Sequence, residues 1–305
     1  MSILSLRDVN KAYTNHKAVD NVSFEMPKGC IFGMLGPNGA GKTSLIRIIT
    51  CITRADSGTI YFDGEILNER HPEMIGYMPE ERGLYKKMKV GEHLIYLAVL
   101  KGMPVQAAKK EIAVWMEKFD IDSWYNKKIE ELSKGMQQKI QFISTVVHKP
   151  KLLILDEPFS GLDPINANLI KDEISNLNNE GISVIFSTHR MEQVEEICDE
   201  MVLINKGKNV LSGKVAEIKD RFKENKFEIS YSGNIPGGLI DQETLLESKP
   251  GKLMASASSL GEMNQILAHL IQNGVVITKF EEILPSINEI FIKTVTASGE
   301  AVKID

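Results

Sequence analysis

The sequence predicts an α/β protein with a mostly parallel sheet core and a small α+β domain at its C-terminal end. Three observations carry this prediction. A short apolar strand leads through a glycine-rich loop into a helix between residues 31 and 49, apolar strands alternate with helical patterns between residues 151 and 207, and the pattern changes near residue 220. Strands that alternate with helices build right-handed β-α-β units, whose strands run parallel.

Length and composition limit the possible classes of protein. The 305 residues exceed what one hydrophobic core usually organises, which favours one large domain and a smaller one. The chain is 43% hydrophobic and 25% charged, as in ordinary globular proteins, and its net charge of -5 argues against a general nucleic-acid binder. No stretch approaches the roughly 20 apolar residues of a membrane-spanning helix. We therefore expect a cytoplasmic protein, unless a partner holds it at a membrane.

The elements follow one another in a readable order. A hairpin is predicted over residues 58–67, because Asp63-Gly64 is a strong turn dipeptide. A helical pattern then runs from Val90 to about Leu132 and interrupts the strand-and-helix core. The charged stretch 220–226 is predicted to connect the two domains, which we place at 1–220 and 221–305, with the helical insertion at about 83–132.

The glycine-rich loop fits the phosphate-binding pattern G-x-x-x-x-G-K-[ST] in full. Its residues are Gly36, Pro37, Asn38, Gly39, Ala40, Gly41, Lys42 and Thr43, and Ser44 follows in the helix. Glycines let backbone N–H groups approach phosphate oxygens, and the start of a helix attracts the same anion. The lysine of such a loop reaches the β- and γ-phosphates, and the hydroxyl ligates Mg²⁺. The loop therefore predicts a nucleoside triphosphate with Mg²⁺.

Two adjacent carboxylates, Asp156 and Glu157, end the apolar strand LLILDE. Ligands of parallel sheets bind at the carboxyl ends of the strands, so the pair is predicted to meet the phosphate loop. Asp156 suits the Mg²⁺ shell through a water molecule, and Glu157 is then available to polarise the attacking water. Taken alone, an acidic strand end that caps the next helix would be a reasonable alternative.

Four further segments, in a fixed order, resemble the ABC ATPase family over about residues 1–220. Residues 132–138, LSKGMQQ, resemble its LSGGQ signature; residues 160–163, SGLD, resemble its D-loop; residues 187–189, STH, end at the position of its switch histidine. Tyr13 stands where the family places an aromatic residue on adenine. Each of these residues also has an ordinary structural interpretation when it is considered alone. Tyr13 could be an aromatic residue of a strand, His189 a histidine at the end of a strand, and Ser133 the N-cap of a helix. Their joint occurrence in order favours the family.

The resemblance implies two subunits facing head to tail, each ATP lying between one phosphate loop and the partner's signature. In the second subunit, Ser133, Gly135 and Asp163 would then face the bound ATP, while His189 would contact the γ-phosphate. The sequence departs from the family pattern at three positions, Lys134 for Gly, Met136 for Gln, and Glu80 for a Mg²⁺-contacting Gln. A carboxylate is a competent Mg²⁺ ligand, so Glu80 stays in the predicted metal set with Thr43 and Asp156.

The leading functional hypothesis is an ATPase subunit, paired as a homodimer, that drives a separate membrane permease from the inner face of the membrane. The substitutions and the small C-terminal domain resemble ATPases like NatA, which serve ABC-2-type exporters. The alternative is a soluble ABC ATPase that acts on ribosomes or nucleic acid; a P-loop kinase is a third reading. A single phosphate loop and an acidic charge favour the transporter. The C-terminal domain is left open between ligand binding, dimer contacts and cover for the core.

Overall fold

A computed structural model describes residues 1–14, 16–81, 83–233, 235 and 244–297, and the chain divides into two units, Met1–Val215 and Ala216–Asp305. The elements of the first unit are, in chain order, β1 (Ser2–Tyr13), β2 (His16–Pro27), β3 (Ile31–Leu35), α1 (Lys42–Ile49), β4 (Ser57–Phe62), β5 (Glu65–Ile66), β6 (Ile75–Met78), α2 (Val90–Leu100), α3 (Val105–Lys118), α4 (Lys134–Val146), β7 (Leu152–Asp156), α5 (Pro164–Asn179), β8 (Ser183–Thr188), α6 (Met191–Ile197), β9 (Glu200–Asn205) and β10 (Lys208–Lys214). They are followed by α7 (Val215–Arg221), β11 (Lys226–Ser232), β12 (Leu245–Lys249), β13 (Lys252–Ser256), α8 (Leu260–Gln272), β14 (Val276–Ile283) and α9 (Ile287–Ala297).

The central sheet of the first unit has the strand order β10-β9-β3-β8-β7-β6. Its strands run parallel except β10, which pairs antiparallel with β9. Leu35 at the end of β3 lies opposite Thr188, and Asp156 at the end of β7 lies opposite Ser187. The mostly parallel core is therefore confirmed, and the carboxyl ends of β3, β7 and β8 meet at one edge.

A second sheet, β2-β1-β4-β5, is antiparallel. The predicted hairpin is confirmed: Asp63 and Gly64 both have positive φ, 50° and 90°, as a two-residue turn of this kind requires. One apolar core joins this sheet to α1 and to the central sheet, and Phe24 stacks on Phe32 with ring centroids 5.3 Å apart. This shared core fixes the end of β1 relative to the strand that precedes the phosphate loop.

The predicted helical insertion is confirmed as α2 and α3, followed by two short 3₁₀ turns that lead to α4. Three rings, those of Trp115, Phe119 and Phe142, have centroids 5.9–6.1 Å apart in each pair, and they join α3 to α4. Helix α4 in turn contacts α2 and β6, so it links the insertion to the central sheet. Within the described ranges, every helix is too short or too polar to cross a lipid bilayer.

The second unit is α+β. Its sheet has the order β12-β13-β11-β14, with antiparallel pairs throughout. Helix α8 covers one face, where the core contains Phe227, Ile229, Leu253 and Met263. The charged stretch 220–226 is partly helical rather than a plain connector, because α7 continues to Arg221 and β11 already begins at Lys226.

Candidate functional site

The phosphate loop is pressed against the surrounding backbone, and this explains its glycines. A Cβ atom on Gly36 would lie 2.1 Å from the carbonyl oxygen of Ile204, at the end of β9. A Cβ atom on Gly41 would lie 2.2 Å from the carbonyl oxygen of Ala18, and Gly41 also has a φ of 109°. Both positions therefore exclude any larger residue, and the loop is held in a fixed curve before α1 begins at Lys42.

Lys42 is the cation of the site. Its Nζ donates hydrogen bonds to the carbonyl oxygens of Gly36 at 2.6 Å and Pro37 at 3.2 Å, and the residue is only 7% exposed. Burial lowers the pKa of Lys42, while Glu157, Asp156 and Glu80 oppose this shift. The charges of three carboxylates therefore favour the protonated form of this buried ammonium group.

Asp156 connects the central sheet to α1. Its Oδ1 accepts a hydrogen bond from Ser187 Oγ at 2.7 Å, and its Oδ2 accepts one from Thr43 Oγ1 at 3.3 Å. Burial raises the pKa of Asp156, and the hydrogen bond from Ser187 and the charge of Lys42 oppose the rise. A hydroxyl beside a carboxylate, with Glu80 lining the same pocket, is an all-oxygen set of the kind that Mg²⁺ prefers. The residues present fit this cation.

Glu157 is held by three hydrogen bonds. Its Oε1 accepts from the backbone N–H of His189 at 2.8 Å and pairs with His189 Nδ1 at 2.6 Å, and its Oε2 accepts from Thr188 Oγ1 at 3.1 Å. Glu157 has a φ of 50°, unusual for a residue other than glycine, and strain of this kind is typical of functional sites. Its side chain is 9% exposed, whereas that of His189 is 42% exposed. The carboxylate is thus fixed while the imidazole faces solvent.

A pocket of about 520 Å³ brings most of the predicted residues together. It is lined by Tyr13, His16, Ala18, Asn38, Gly39, Ala40, Gly41, Lys42, Thr43, Ser44, Glu80, Asp156 and Glu157. Tyr13 is 41% exposed, and Lys11 Nζ lies 5.6 Å from the centroid of its ring. His16 and Ala18 were not predicted, although His16 pairs with Tyr13 across the β1–β2 turn. The pocket combines a cationic cradle, an acidic wall and an exposed aromatic ring.

Six predicted residues do not line this pocket. Gly36 and Pro37 bind Lys42 through their carbonyl oxygens, and His189 contacts Glu157, so these three lie beside it. The other three are Ser133, Gly135 and Asp163. Ser133 caps α4, where its Oγ accepts a hydrogen bond from Met136 N at 3.3 Å. Asp163 caps α5, and the backbone hydrogen bond from Asn166, at 3.0 Å, lowers the pKa of Asp163. Both residues therefore lie at the N-terminal end of a helix.

Thr188 and Ser187 are functional neighbours that the sequence reasoning missed. Both side chains are fully buried, and their hydroxyls donate to the two site carboxylates, Glu157 and Asp156. The available signal was the small polar pair that ends an otherwise apolar strand directly before His189.

Known protein families match two parts of the chain. The family model "ABC transporter" matches residues 19–160, and "ATP-binding protein DrrA1-3-like, C-terminal domain" matches residues 213–295. The "Uncharacterized ABC transporter ATP-binding protein YhaQ" of Bacillus subtilis (strain 168) is 45% identical over 98% of this chain and 100% of its own length. This chain belongs to the ABC transporter ATP-binding proteins.

Other proteins of this family are also similar to the chain. The linearmycin resistance ATP-binding protein LnrL of Bacillus subtilis (strain 168) is 35% identical over 88% of this chain and 83% of its own. The Nod factor export ATP-binding protein I of Cupriavidus metallidurans is 32% identical over 72% and 73%. A solved structure of an ATP-binding subunit of an ABC transporter superposes with a TM-score of 0.68 and 26% identity, covering 72% of this chain and 93% of the other.

The fold and the general activity are thereby established. The chain is an ATP-binding ATPase subunit of the ABC transporter family, and its first unit has the ABC ATPase fold. None of the relatives just described is named as a ribosomal or nucleic-acid protein, so the alternative function gains no support from them.

Proposed function

We propose that this ABC ATPase subunit hydrolyses ATP in the pocket between the phosphate loop and the acidic pair, with Glu157 as the catalytic base. The observation that carries the proposal is the fixation of Glu157 by Thr188 Oγ1 and by two groups of His189. A base must be held in one position to take a proton from an attacking water molecule, and here three donors hold it.

The phosphates of ATP are assigned to the loop and the start of α1. The backbone N–H groups from Asn38 to Ser44 and the ammonium group of Lys42 would bind them, since both are positive and line the pocket. Thr43, Asp156 and Glu80 would hold Mg²⁺, which would neutralise charge on the phosphate oxygens. The exposed ring of Tyr13, at the other end, would stack on adenine.

His189 is assigned a contact with the γ-phosphate. A carboxylate can only accept a hydrogen bond, so Nδ1 must carry the proton shared with Glu157 Oε1. In the proposed catalytic state His189 would bridge Glu157 and the γ-phosphate through its two ring nitrogens.

The positions of Ser133, Gly135 and Asp163 support a homodimer. These residues lie outside the subunit's own pocket, at the start of two helices whose N-terminal ends favour anions. In a head-to-tail pair they would reach the ATP bound by the other subunit. ATP would then hold the dimer together until it is hydrolysed.

The partner in the membrane is proposed to be a separate permease, and the complex an exporter. The family membership supports a permease partner at the inner face of the membrane, and the similarity to a Nod factor export protein favours export. We assign residues 1–220 to the nucleotide-binding domain and 221–305 to an accessory domain, a division that lies close to the division between the two units.

The test is a comparison of Glu157→Gln with the unmutated protein and with Glu180→Gln, an exposed control at the end of α5. We expect Glu157→Gln to bind ATP, to hydrolyse it about 10²-fold more slowly, and to accumulate as an ATP-bound dimer in size-exclusion chromatography. Glu180→Gln should behave like the unmutated protein. Hydrolysis by Glu157→Gln at the unmutated rate would remove Glu157 from the catalytic role.

A further inference from the structure

Helix α4 buries two polar side chains on one face, Gln138 and Gln141. They are 3% and 4% exposed, and residues three apart on a helix lie side by side. Amide side chains are seldom buried to this extent, because their donors and acceptors lose water and need partners inside the protein. The contacts of this pair therefore require an explanation.

Each amide reaches the backbone beside a site carboxylate. Gln141 Nε2 donates to the carbonyl oxygen of Pro79 at 2.8 Å, and Pro79 is the residue before Glu80. Gln138 Nε2 donates to the carbonyl oxygen of Pro158 at 3.0 Å, and Pro158 is the residue after Glu157. One helix face thus holds both segments that carry acidic residues into the pocket.

The contact to Pro79 restricts Glu80 strongly. Proline has a fixed φ and no N–H, so anchoring its carbonyl oxygen fixes the peptide plane from which Glu80 begins. Thr188 and His189 anchor the side chain of Glu157, whereas no comparable side-chain hydrogen bond to Glu80 occurs among the residues that the structure describes. The hydrogen bond from Gln141 therefore extends the anchoring of this segment one residue beyond β6, whose pairing with β7 ends at Met78.

Gln141 keeps its amide at a cost. Its Oε1 is buried without a hydrogen-bond partner in the described part of the chain. An unpaired buried acceptor is unfavourable, and an apolar residue of similar length would avoid it. A side chain that served only to fill this space would be better as methionine or leucine, so the Nε2 donor is the part that matters.

We propose that Gln141 is a positioning residue that sets the place of Glu80 in the Mg²⁺ site and ties it to helix α4. The inference rests on the proposed function, in which Glu80 contributes to the metal and Ser133 and Gly135 face the partner's ATP. Those two residues stand at the start of the same helix. Gln141 therefore connects the subunit's own metal site to the nucleotide of the other subunit through one rigid element.

The first experiment compares Gln141→Met with Thr145→Val in the nucleotide-free protein. Thr145 is also buried on α4, and its Oγ1 donates to the carbonyl oxygen of Gln141 at 2.8 Å, so the control loses a hydrogen bond on the same helix without touching Pro79. Hydrogen exchange at Glu80 and Glu81 should be about fivefold faster in Gln141→Met alone. Unchanged exchange, or an equal rise in Thr145→Val, would overturn the proposal.

The second experiment asks whether Gln141 acts through Glu80. The Mg²⁺ concentration for half-maximal ATP hydrolysis should rise about fivefold in Gln141→Met, with the KM for ATP nearly unchanged. In a Glu80→Gln background, Gln141→Met should change this Mg²⁺ concentration by less than about twofold, because Gln141 is proposed to act through Glu80. Full additivity would instead indicate a merely structural role for Gln141.

If Gln141→Met does not fold, Gln141→Leu takes its place, since leucine is also apolar and lacks the N–H donor. Failure of the proposed function is distinguishable from failure of this inference. Without Mg²⁺-dependent hydrolysis by the unmutated protein, the proposed function itself is wrong, whereas normal hydrolysis with additive effects contradicts the role of Gln141 alone.

Discussion

The buried histidine of helix α2 should make the first unit sensitive to acid. His93 is fully buried, and neither ring nitrogen has a hydrogen-bond partner among the residues that the structure describes. Its ring packs edge-on against Tyr85 with centroids 5.7 Å apart. Burial lowers the pKa of His93 from 6.5 to about 4. The folded protein therefore holds this ring neutral at a pH where the unfolded chain binds a proton.

The sign of the effect follows from the two pKa values. Above pH 6.5 both states are neutral and His93 contributes no pH dependence; as the pH falls from 6.5 towards 4, protonation stabilises only the unfolded state. At pH 5 the unfolded ring is almost fully charged and the folded ring about one-tenth charged. The free energy of unfolding should thus fall by about 2 kcal/mol between pH 7.5 and pH 5 because of His93.

The assay is urea unfolding of the unmutated protein and His93→Leu at pH 7.5 and pH 5, followed by tryptophan fluorescence. Both tryptophans, Trp115 and Trp124, lie in the first unit with His93. His93→Leu should be within about 1 kcal/mol of the unmutated protein at pH 7.5 and gain about 2 kcal/mol on it at pH 5. Leu94→Met, a buried neighbour that does not titrate, should keep the same difference at both pH values.

A stability difference between His93→Leu and the unmutated protein that stays constant to within about 0.5 kcal/mol from pH 7.5 to pH 5 would refute the reasoning. It would mean that the ring is protonated in the folded state or reaches water there.

Two other predictions concern side chains already described. In a steady-state ATPase assay, His189→Ala should lower kcat at least about tenfold. His189→Asn should lower kcat less than His189→Ala does, because the asparagine amide can donate a hydrogen bond to Glu157. An equal loss of kcat in the two variants would exclude this hydrogen bond as the cause. Burial raises the pKa of Cys30 to about 12 and also raises that of Cys198. In the native protein, iodoacetamide should therefore label the half-buried Cys51 before the two buried cysteines. Labelling is followed by mass spectrometry, with urea-unfolded protein as the control. Early labelling of Cys198 in the native protein would contradict the prediction.

Much of the fold could be predicted from the sequence because its signals are local. The turn at Asp63-Gly64 and the apolar run of β7 each lie within a few residues, and both elements appear as expected. Strand β12 was missed because its residues are mostly exposed and show no apolar alternation. Strand β6 was missed because it is short and contains Gly76, where a Cβ would lie 2.4 Å from the carbonyl oxygen of Thr145.

The candidate site could also be predicted only in part from the sequence. A motif indicates Lys42 and Glu157 because the chemistry needs those residue types at that spacing. The hydrogen bond of Gln141 to Pro79 joins residues far apart in the chain, through a helix packed on a strand, and no local pattern reports such a contact. The same holds for Thr188, whose role depends on the register of β7 beside β8.

The position of β3 between β8 and β9 has a consequence for synthesis of the protein. The phosphate loop emerges from the ribosome early, yet its neighbours Thr188 and Ile204 are made much later. A nascent chain that ends before β8 carries the complete loop motif but cannot give it its final curve or its acidic wall. We therefore expect a nascent chain to bind ATP only after residues up to about Asn205 have emerged, and until then β3 lacks both of its neighbouring strands.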